Sequence, residues 1–357
     1  MAERIVVGMS GGVDSSVAAA LLVEAGHDVV GVTMRVWPTT DGGARTGACC
    51  GSEAVDDARR VAAALGIPYY PLNMAEEFDR AVIGPFADEY RRGRTPVPCV
   101  ACNTDLKFGS LLARARAWDA TAVATGHYAR VERAGDRVRL LRARDSRKDQ
   151  TDFLWPLTQA QLAAARFPIG DLTKDEVRAH ARRLGLVTAE KPESQEICFV
   201  PDDDYRGFLR RRDPAAFRPG AIVDLAGRPL GRHAGVASFT IGQRRGLGLA
   251  ASRALYVVDL DPATDRVTVG DAADLERDRL VVGRANFIAG PPERRLRVTA
   301  KIRHNQRPAP ATVRALDAGR AEVVFDEAQR AITPGQSCVW YRDDEVVGGG
   351  VIDDGRD

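Results

Sequence analysis

A glycine- and serine-rich stretch near the amino end, Gly8-Met9-Ser10-Gly11-Gly12-Val13-Asp14-Ser15-Ser16, carries residue types that could bind an anion. The apolar residues 5–7 before it predict a buried strand, and the alanine- and leucine-rich run after it predicts a helix that ends near Gly26. A strand, a glycine-rich turn and a helix in this order direct backbone N–H groups at a phosphate. The stretch has neither the Gly-Lys-Ser/Thr ending of a P-loop nor the Gly-x-Gly-x-x-Gly pattern of a dinucleotide site. An ordinary strand-to-helix turn is the alternative interpretation.

Cysteine is the second residue type with chemical potential, and the chain has it at positions 49, 50, 99, 102, 198 and 338. In a chain without a secretion signal this does not predict a disulfide framework. Cys102 comes just before a helix predicted to begin near Thr104, where the helix dipole would favour the thiolate of a nucleophile. Cys198 lies between an isoleucine and a phenylalanine, so a small buried core residue is the alternative there. Cys99 and Cys102 could also be half of a zinc site, but no second pair follows at a matching spacing.

The elements that must position these residues alternate between strand and helix over the first 125 residues, which is typical of a parallel, doubly wound α/β sheet. Strands are predicted at 5–7, 27–34, 69–72 and 120–125, and further helices at 52–65, 76–91 and 105–118. Such sheets bind ligands at the carboxyl ends of their strands. The turn at 10–16, Met34 and the pair Gly126-His127 are therefore expected on one rim. Two long connections, 37–51 and 92–104, are expected to be functional or mobile loops.

The pattern changes beyond residue 125. A hairpin is predicted at 131–138 and helices at 157–167 and 173–184, the second of these opened by a capping box of Thr173 and Glu176. From about residue 206 the sequence predicts short strands separated by Gly, Pro and Asp turns. Strands of a terminal barrel are predicted at 295–303, 312–315, 321–325, 337–341 and 346–352. The predicted architecture is a doubly wound parallel-sheet domain (1–205), a small β-rich central domain (206–280) and a C-terminal β-barrel domain (281–357).

The composition is that of an ordinary globular protein, with 357 residues of which 45% are hydrophobic and 28% charged. The sequence has no apolar run of about 18 residues and no room for a signal peptide before the first strand, so we expect a cytoplasmic protein with no membrane contact. The net charge of only +2 excludes a global basic field as the basis of nucleic-acid binding. Local arginine clusters, for example 210–212 and 294–307, are interpreted either as RNA contacts or as solvated faces.

Six motifs occur in order along nearly the whole chain. They are Ser10-Gly11-Gly12-Val13-Asp14-Ser15, Pro98-Cys99-Val100-Ala101-Cys102-Asn103, Thr125-Gly126-His127-Tyr128, Lys148-Asp149-Gln150, Ser194-Gln195-Glu196-Ile197-Cys198-Phe199 and Pro334-Gly335-Gln336-Ser337. The first motif resembles the pyrophosphate loop of the ATP pyrophosphatase (PP-loop) superfamily. The ordered set resembles the bacterial tRNA-uridine 2-sulfurtransferases, also called 2-thiouridylases.

This resemblance implies an enzyme that uses ATP and Mg²⁺ to adenylate the 2-oxygen of the wobble uridine in tRNAs for Lys, Glu and Gln. It implies that Cys198 carries sulfur as a persulfide, that Cys102 attacks or releases that sulfur, and that the two thiols end as a disulfide. A cysteine desulfurase or a sulfur-relay protein would be the sulfur donor. The implied ATP contacts, with Asp14 also expected to be catalytic, are Gly8, Met9, Ser10, Gly11, Gly12, Val13, Asp14, Ser15, Met34 and Gly126. The implied tRNA contacts are His127, Lys148, Asp149, Gln150, Arg303, His304 and Gln336.

The chemistry of such a reaction explains why these groups would occur together. The oxygen of a uracil carbonyl is a poor leaving group, and adenylation allows it to depart as AMP. Mg²⁺ and the pyrophosphate loop would absorb the charge that develops on the leaving pyrophosphate. A sulfur carrier and a resolving thiol must come into near contact, although 96 positions separate Cys102 from Cys198 (198 − 102).

One departure from the family pattern lies at Cys99, where many members have Asp. It raises the alternative that Cys99, Cys102 and Cys198 hold an iron–sulfur cluster through three thiolates, with one open iron for incoming sulfide. Two other functions compete with thiolation. An amidotransferase-type synthetase that uses ammonia would give Cys102 and Cys198 no role, and a non-catalytic RNA-binding protein would give none to Asp14.

Overall fold

The computed structural model describes residues 2–36, 52–192, 197–200, 203–317 and 319–353. The chain divides into two compact units. The first comprises Met1–Val82, Cys99–Phe199 and Asp343–Val346, and the second comprises Ile83–Pro98, Val200–Arg342 and Val347–Asp357. The predicted loop at 37–51, with Cys49 and Cys50, and the motif residues 194–196 lie outside the described residues.

The helices occur in both units. In chain order they are α1 Val13–Glu24, α2 Ser52–Leu65, α3 Ala75–Phe78, α4 Gly84–Arg91, α5 Pro98–Ala101, α6 Leu112–Arg116, α7 Gln159–Ala164, α8 Lys174–Arg183 and α9 Tyr205–Arg212. The segments Asp79–Ile83 and Cys102–Leu111 are π-helical. Short 3₁₀ turns lie at Thr151–Phe153, Pro214–Ala216, Val236–Ser238 and Ala273–Leu275. Within the described part of the chain, no helix has the length and apolar character needed to cross a membrane.

The first unit is built on a five-stranded sheet. Its strands and the adjoining hairpin are β1 Arg4–Gly8, β2 Asp28–Arg35, β3 Tyr69–Asn73, β4 Ala122–Thr125, β5 Ala129–Ala134, β6 Arg137–Arg142 and β7 Ala165–Arg166. The sheet order is β3-β2-β1-β4-β7, every pair is parallel, and β5 and β6 form the predicted hairpin. The predicted doubly wound parallel sheet is therefore confirmed.

The order of the strands creates a switch point between β1 and β4. From β1 the chain runs through α1 to β2 and then to β3 on one side, and it reaches β4 on the other side of β1. In register, Gly8 at the end of β1 lies opposite Thr125 at the end of β4. The turn after β1 and the segment after β4 therefore begin side by side, which is where open α/β sheets bind ligands.

The core of this sheet is apolar and tightly covered. Ile5 and Val7 of β1, Ala18 of α1 and Ala124 of β4 are fully buried and belong to one continuous hydrophobic cluster. Strands buried on both faces must be almost wholly apolar, as these are, because they have no solvent side. This packing fixes the ends of β1 and β4, and with them the turns that follow.

Several predicted helix boundaries are wrong. The helix predicted to begin near Thr104 begins at Pro98, because proline suits the first helical position, where an N–H is not needed. The helix predicted at 157–167 covers only Gln159–Ala164, and the chain then turns into the short strand β7. The helix α9 was not predicted; its N-cap Asp204 accepts a hydrogen bond of 2.8 Å from the Gly207 N–H.

The second unit contains two β assemblies. The smaller one has the order β10-β11-β8-β9 and consists of β8 Gly220–Val223, β9 Pro229–His233, β10 Tyr256–Asp261 and β11 Arg266–Gly270. The larger one consists of β12 Glu276–Phe287, β13 Leu296–Lys301, β14 Ala309–Ala315, β15 Ala321–Arg330, β16 Ser337–Arg342 and β17 Glu345–Ile352. These six strands close into the predicted barrel, because β12 pairs with both β15 and β17. The strand β12 was not predicted.

Candidate active site

The turn after β1 is held by its own serines. The hydroxyls of Ser15 and Ser16 donate to the carbonyl oxygen of Gly12 at 3.1 and 2.8 Å, and the Ser10 N–H donates to Ser15 Oγ at 3.1 Å. Gly11 has φ +70°, and a Cβ there would lie 2.3 Å from the carbonyl oxygen of Ala54, so only glycine fits. In this structure the hydroxyls of Ser15 and Ser16 therefore shape the turn.

The helix that follows the turn leaves its amino end available for an anion. Gly12 is the N-cap of α1, and among the described residues no side chain caps this end. The first N–H groups of a helix have no intrahelical acceptor, and the helix dipole favours negative charge beside them. The turn and the start of α1 together form an anion site made of backbone.

The predicted contact residues on either side of the turn have different environments. Met9 is buried, its N–H donates to Val32 at 2.7 Å, and its carbonyl accepts from Thr33 Oγ1 at 2.7 Å, so it is part of the sheet core. Met34 is half-buried near the end of β2. Of these two methionines, only Met34 has a side chain that a ligand at the rim could reach.

Gly126 brings the end of β4 against this turn. A Cβ at position 126 would lie 2.5 Å from the Ser15 nitrogen and 2.6 Å from the Asp14 carbonyl carbon. Both atoms are backbone, so they could not move aside for a larger residue. The structure therefore brings together two groups of predicted contacts, the turn at 8–15 and Gly126.

A buried lysine that was not predicted as a site residue, Lys174, binds the carboxylate of Asp14. The ammonium of Lys174 lies 2.7 and 2.9 Å from the two carboxylate oxygens, and Tyr128 Oη donates to Oδ1 at 2.9 Å. The side chain of Lys174 is only 9% exposed, and that of Asp14 is 29% exposed. The sequence signal that could have identified Lys174 is its position directly after the N-cap Thr173, because a cation at the start of a helix opposes the helix dipole.

The capping box positions Lys174 at the first residue of α8. Thr173 Oγ1 accepts from the Glu176 N–H at 3.3 Å, and the Glu176 carboxylate accepts from the Thr173 N–H at 2.7 Å, as predicted. The Lys174 N–H donates to Asp145 Oδ2 at 3.1 Å. The pKa of Asp145 lies below its ordinary value because backbone N–H groups of Lys174 and Arg147 donate to it and outweigh its burial.

His127 lies in a second polar cluster, together with Lys107. Thr125 Oγ1 is 2.6 Å from His127 Nδ1, and Lys107 Nζ is 3.5 Å from His127 Nε2. Lys107 also donates to Asn103 Oδ1 at 2.9 Å, and Asn103 Nδ2 donates to the Phe153 carbonyl at 3.2 Å. Burial, and secondarily the charge of Lys107, hold the pKa of His127 well below its ordinary value. His127 is therefore neutral at pH 7.

The predicted tRNA contacts at 148–150 lie in a loop that is largely satisfied internally. The buried Asp149 carboxylate accepts from the Ala143 N–H at 3.1 Å and from Thr151 Oγ1 at 2.9 Å. Gln150 Oε1 accepts from the Tyr128 N–H at 3.0 Å, and the Gln150 N–H donates to the Tyr128 carbonyl at 3.0 Å. Gln150 thereby ties this loop to the segment that carries His127. The Lys148 side chain is half-buried.

The cysteines of the first unit differ in exposure. Cys99 of α5 is exposed, and Cys102, the first residue of a π-helical segment, is half-buried. Because the helix begins at Pro98, Cys102 lies a full turn inside it, and the dipole effect expected at a helix start is weakened. Cys198 is also half-buried, and its neighbour Phe199 packs edge-on against Phe78 with ring centroids 5.6 Å apart.

The iron–sulfur alternative has no geometric support. Across residues 2–36, 52–192, 197–200, 203–317 and 319–353, no three or more His, Cys, Asp or Glu side chains form a group that could hold a metal ion. Cys99, Cys102 and Cys198 all belong to those residues, so this structure does not bring them together as three ligands. Cys338 is buried in the barrel, where burial raises the pKa of its thiol and makes it a core residue.

The remaining predicted tRNA contacts belong to the second unit. Gln336 Nε2 donates to the Thr95 carbonyl at 2.8 Å, and a Cβ at Gly335 would lie 2.9 Å from the Thr95 nitrogen, so this glycine permits the approach. Arg303 is exposed, and its guanidinium donates to the carbonyls of Arg330, at 2.9 Å, and Ala331. Gln336 therefore holds the segment around Thr95.

The parallel sheet, its switch point and the turn with a backbone anion site define an α/β nucleotide-binding domain of the PP-loop class. Three family profiles match the chain in succession: the tRNA methyl transferase HUP domain over residues 3–202, the tRNA methyl transferase PRC-barrel domain over 206–271 and the aminomethyltransferase β-barrel domain over 277–352.

Known relatives match along the same length. The tRNA-specific 2-thiouridylase MnmA of Clostridium perfringens is 50% identical over 357 residues, and that of Carboxydothermus hydrogenoformans is 51% identical over 357 residues. Each alignment covers 98% of this chain and 98% of the relative. A 4-thiouridine synthetase in complex with RNA and ATP is a remote structural neighbour, with a TM-score of 0.35, 18% identity, and coverage of 59% of this chain and 50% of its own. The protein belongs to the tRNA-specific 2-thiouridylase MnmA family.

Proposed function

We propose that this protein is an enzyme that uses ATP to replace the 2-oxygen of the wobble uridine of tRNA by sulfur, in the tRNAs for Lys, Glu and Gln. The products would be 2-thiouridine, AMP and pyrophosphate. The observation that carries the proposal is the match to MnmA relatives over 98% of the chain. A match limited to the nucleotide-binding domain would be equally consistent with the ammonia-dependent synthetase.

In the activation step, the turn at 8–16 would hold the pyrophosphate portion of ATP. The uncapped N–H groups at the start of α1 supply hydrogen bonds, and the dipole of the helix favours the negative charge that develops on the leaving group. The uridine 2-oxygen attacks the α-phosphorus, the bond to the β-phosphate oxygen breaks, and pyrophosphate departs. Gly126 places the end of β4 beside the pyrophosphate site, because its Cα packs directly against the turn.

Asp14 fits the role of a magnesium ligand. Mg²⁺ in such sites is held by one or two carboxylates together with phosphate oxygens, and Asp14 supplies a partly exposed carboxylate at the pyrophosphate turn. When bound, Mg²⁺ would neutralise charge on the leaving pyrophosphate. The carboxylate of Asp14 is already oriented by Tyr128 and Lys174.

In the sulfur step, a persulfide on Cys198 would attack carbon 2 of the activated base, and AMP would leave with the oxygen. The Cys102 thiolate would then attack the Cys198 Sγ. This breaks the bond between Cys198 Sγ and the transferred sulfur on carbon 2, and leaves 2-thiouridine and a Cys102–Cys198 disulfide. The proposal also includes a cysteine desulfurase or relay protein that forms the persulfide, and a dithiol that reduces the enzyme afterwards. The half-buried positions of Cys102 and Cys198 are compatible with this exchange.

The tRNA would contact both units, through His127 and residues 148–150 of the first and Arg303, His304 and Gln336 of the second. The wobble base must leave its stack to reach the turn. Gln150 supports this assignment. Its hydrogen bond with Tyr128 links the loop at 148–150 to the segment that carries His127 and adjoins the turn. Within this contact region, the buried carboxylate of Asp149 would act by shaping the loop that presents Lys148 and Gln150 to the tRNA.

The test is conversion of an unmodified tRNA transcript in the presence of ATP, Mg²⁺ and a persulfide donor, followed by mass spectrometry of the nucleosides. Cys198→Ser and Cys102→Ser should abolish 2-thiouridine and leave tRNA binding intact. Cys99→Asp is the matched control, since it restores the residue many family members have, and it should retain activity. Loss of activity in that control would instead favour the three-thiolate cluster.

The same reaction distinguishes the competing functions. AMP and pyrophosphate should form only when unmodified tRNA is present. AMP formation that ignores tRNA would favour the ammonia-dependent synthetase, and a protein that never cleaves ATP would contradict the enzymatic proposal. Iron together with absorbance near about 400 nm in an anaerobic preparation would support the cluster alternative, and their absence would eliminate it.

A further inference from the structure

The ion pair between Lys174 and Asp14 stands out because both partners sit at the pyrophosphate turn. The ammonium contacts both carboxylate oxygens, at 2.7 and 2.9 Å, and lies 5.8 Å from the centre of the Tyr128 ring. Tyr128 Oη completes the group with a hydrogen bond of 2.9 Å to Asp14. Two charged side chains and a phenol from α1, α8 and the segment after β4 thus meet at one point.

Helix propensity does not explain a lysine at this position. Lys174 is the first residue of α8, where the positive end of the helix dipole disfavours a cation, and its side chain is 9% exposed. Burying an ammonium is costly unless a carboxylate pairs with it. The capping box and the bond from the Lys174 N–H to Asp145 fix its backbone, so the side chain is directed at Asp14 by the start of the helix.

An unpaired carboxylate at an anion site would repel the anion. Asp14 lies in the first turn of α1, beside the N–H groups that form the site. With Lys174 in place, the pair is neutral, and the dipole of α1 then favours an anion at the turn. Without Lys174, the charge of Asp14 would have to be cancelled by a divalent cation.

We propose that Lys174 is a positioning residue that neutralises Asp14, so that the turn binds a pyrophosphate group even without a divalent cation. The inference rests on the proposed function, because it assigns an internal counter-charge to the turn that would hold ATP. It adds that this chain, through a residue 160 positions away (174 − 14), provides part of the charge balance usually attributed to Mg²⁺.

The experiment measures binding of inorganic pyrophosphate by calorimetry, once in EDTA and once with Mg²⁺. Wild-type protein should bind pyrophosphate in both. Lys174→Met should weaken binding in EDTA by about tenfold or more, and Mg²⁺ should recover most of the loss. The double variant Asp14→Asn with Lys174→Met has no charge to cancel, so its affinity in EDTA should return to within about threefold of wild type.

The control is Arg183→Met, which removes a cation from the opposite end of the same two helices. Arg183 pairs with Glu24 at 2.8 Å, and both side chains are exposed, so pyrophosphate binding should be unchanged. Lys174→Arg keeps the charge and should retain binding in EDTA better than Lys174→Met, provided that thermal unfolding and circular dichroism show that each variant folds.

Three results would overturn the inference. They are wild-type protein that does not bind pyrophosphate in EDTA, a double variant that binds as poorly as Lys174→Met, and a Lys174→Met variant that binds normally. The second result would show that Lys174 contacts the anion itself. None of these depends on thiolation, so a protein that passes these tests but never thiolates tRNA refutes only the proposed function, and one that thiolates but fails them refutes only this inference.

Discussion

At the scale of single residues, the charge next to His127 determines which of its ring nitrogens carries the proton. An ammonium can only donate, so the nitrogen that faces Lys107, Nε2, must carry the lone pair. Nδ1 then carries the proton and donates it to Thr125 Oγ1 across 2.6 Å. The ring is neutral, buried and held in one tautomer, in contact with Phe167 at a centroid distance of 6.0 Å. A fixed neutral imidazole can contact a base without adding charge beside the turn.

Lys107→Met should raise the pKa of His127 and allow the other neutral tautomer to be populated. The pKa should stay below the ordinary value of 6.5, because burial is the larger cause of its depression and Lys107 the smaller. The ring is one of five histidines in the chain, so ¹⁵N spectra across a pH series can follow it directly. Wild-type His127 should keep the ¹⁵N signature of the neutral ring, with a protonated Nδ1 and an unprotonated Nε2, down to a lower pH than the variant.

The sign of the effect on stability follows from the same shift. Since the pKa is lowered in the folded state, the unfolded chain binds this proton more readily, and the stability that neutral His127 contributes is complete above 6.5 and lost as the pH falls toward the lowered value. A wild-type His127 ring that takes up its second proton at or above pH 6.5 would refute the assignment.

At the scale of elements, much of the site could be predicted because its signals are local. The apolar strand, the glycine-rich turn and the helix after it lie within the first 24 residues, and the capping box of Thr173 and Glu176 is read from four consecutive positions. Lys174 was missed because its partner, Asp14, is distant in sequence and only the packing of α1 against α8 brings them together. The early start at Pro98 was not predicted because the segment 92–104, which contains two prolines, was expected to be a loop, and proline is compatible with both a loop and a first helical turn.

Thr173→Ala tests whether the helix start positions Lys174. Loss of the cap should cost about 1 kcal/mol of stability and let the first turn of α8 fray. Pyrophosphate affinity in EDTA should fall as well, because Lys174 is the residue directly after the cap. The measurements are urea unfolding and calorimetry on the same preparation.

The chain provides a matched control for that variant. Thr158 forms the same kind of capping box with Gln161 at the start of α7, and its hydroxyl accepts from the Gln161 N–H at 3.2 Å. Thr158→Ala should therefore lose similar stability and bind pyrophosphate normally. Equal binding losses in both variants would mean that general destabilisation, and not the direction of Lys174, controls the anion site.

At the scale of the whole molecule, the proposed function requires a substrate that contacts both units, since the predicted tRNA contacts are divided between them. A net charge of only +2 means that affinity must come from a few placed cations and not from the overall field. Arg303 is the arginine that the family pattern identifies, and its guanidinium is braced by the carbonyls of Arg330 and Ala331. Because these hydrogen bonds already orient the guanidinium, Arg303 would lose less conformational entropy when it binds a phosphate.

Arg303→Ala should weaken tRNA binding and reduce the dependence of log Kd on log salt by about one phosphate contact. The control is Arg297→Ala in the same barrel, because Arg297 is exposed and already paired with Asp326, and removal of an exposed pair of this kind has little effect. Filter binding of unmodified tRNA at several salt concentrations measures both slopes. The variant also removes two internal hydrogen bonds, so thermal unfolding must show that the barrel is intact. Reduced affinity with an unchanged slope would then assign Arg303 to holding the chain near Ala331, and the phosphate contact would have to come from another arginine of the second unit.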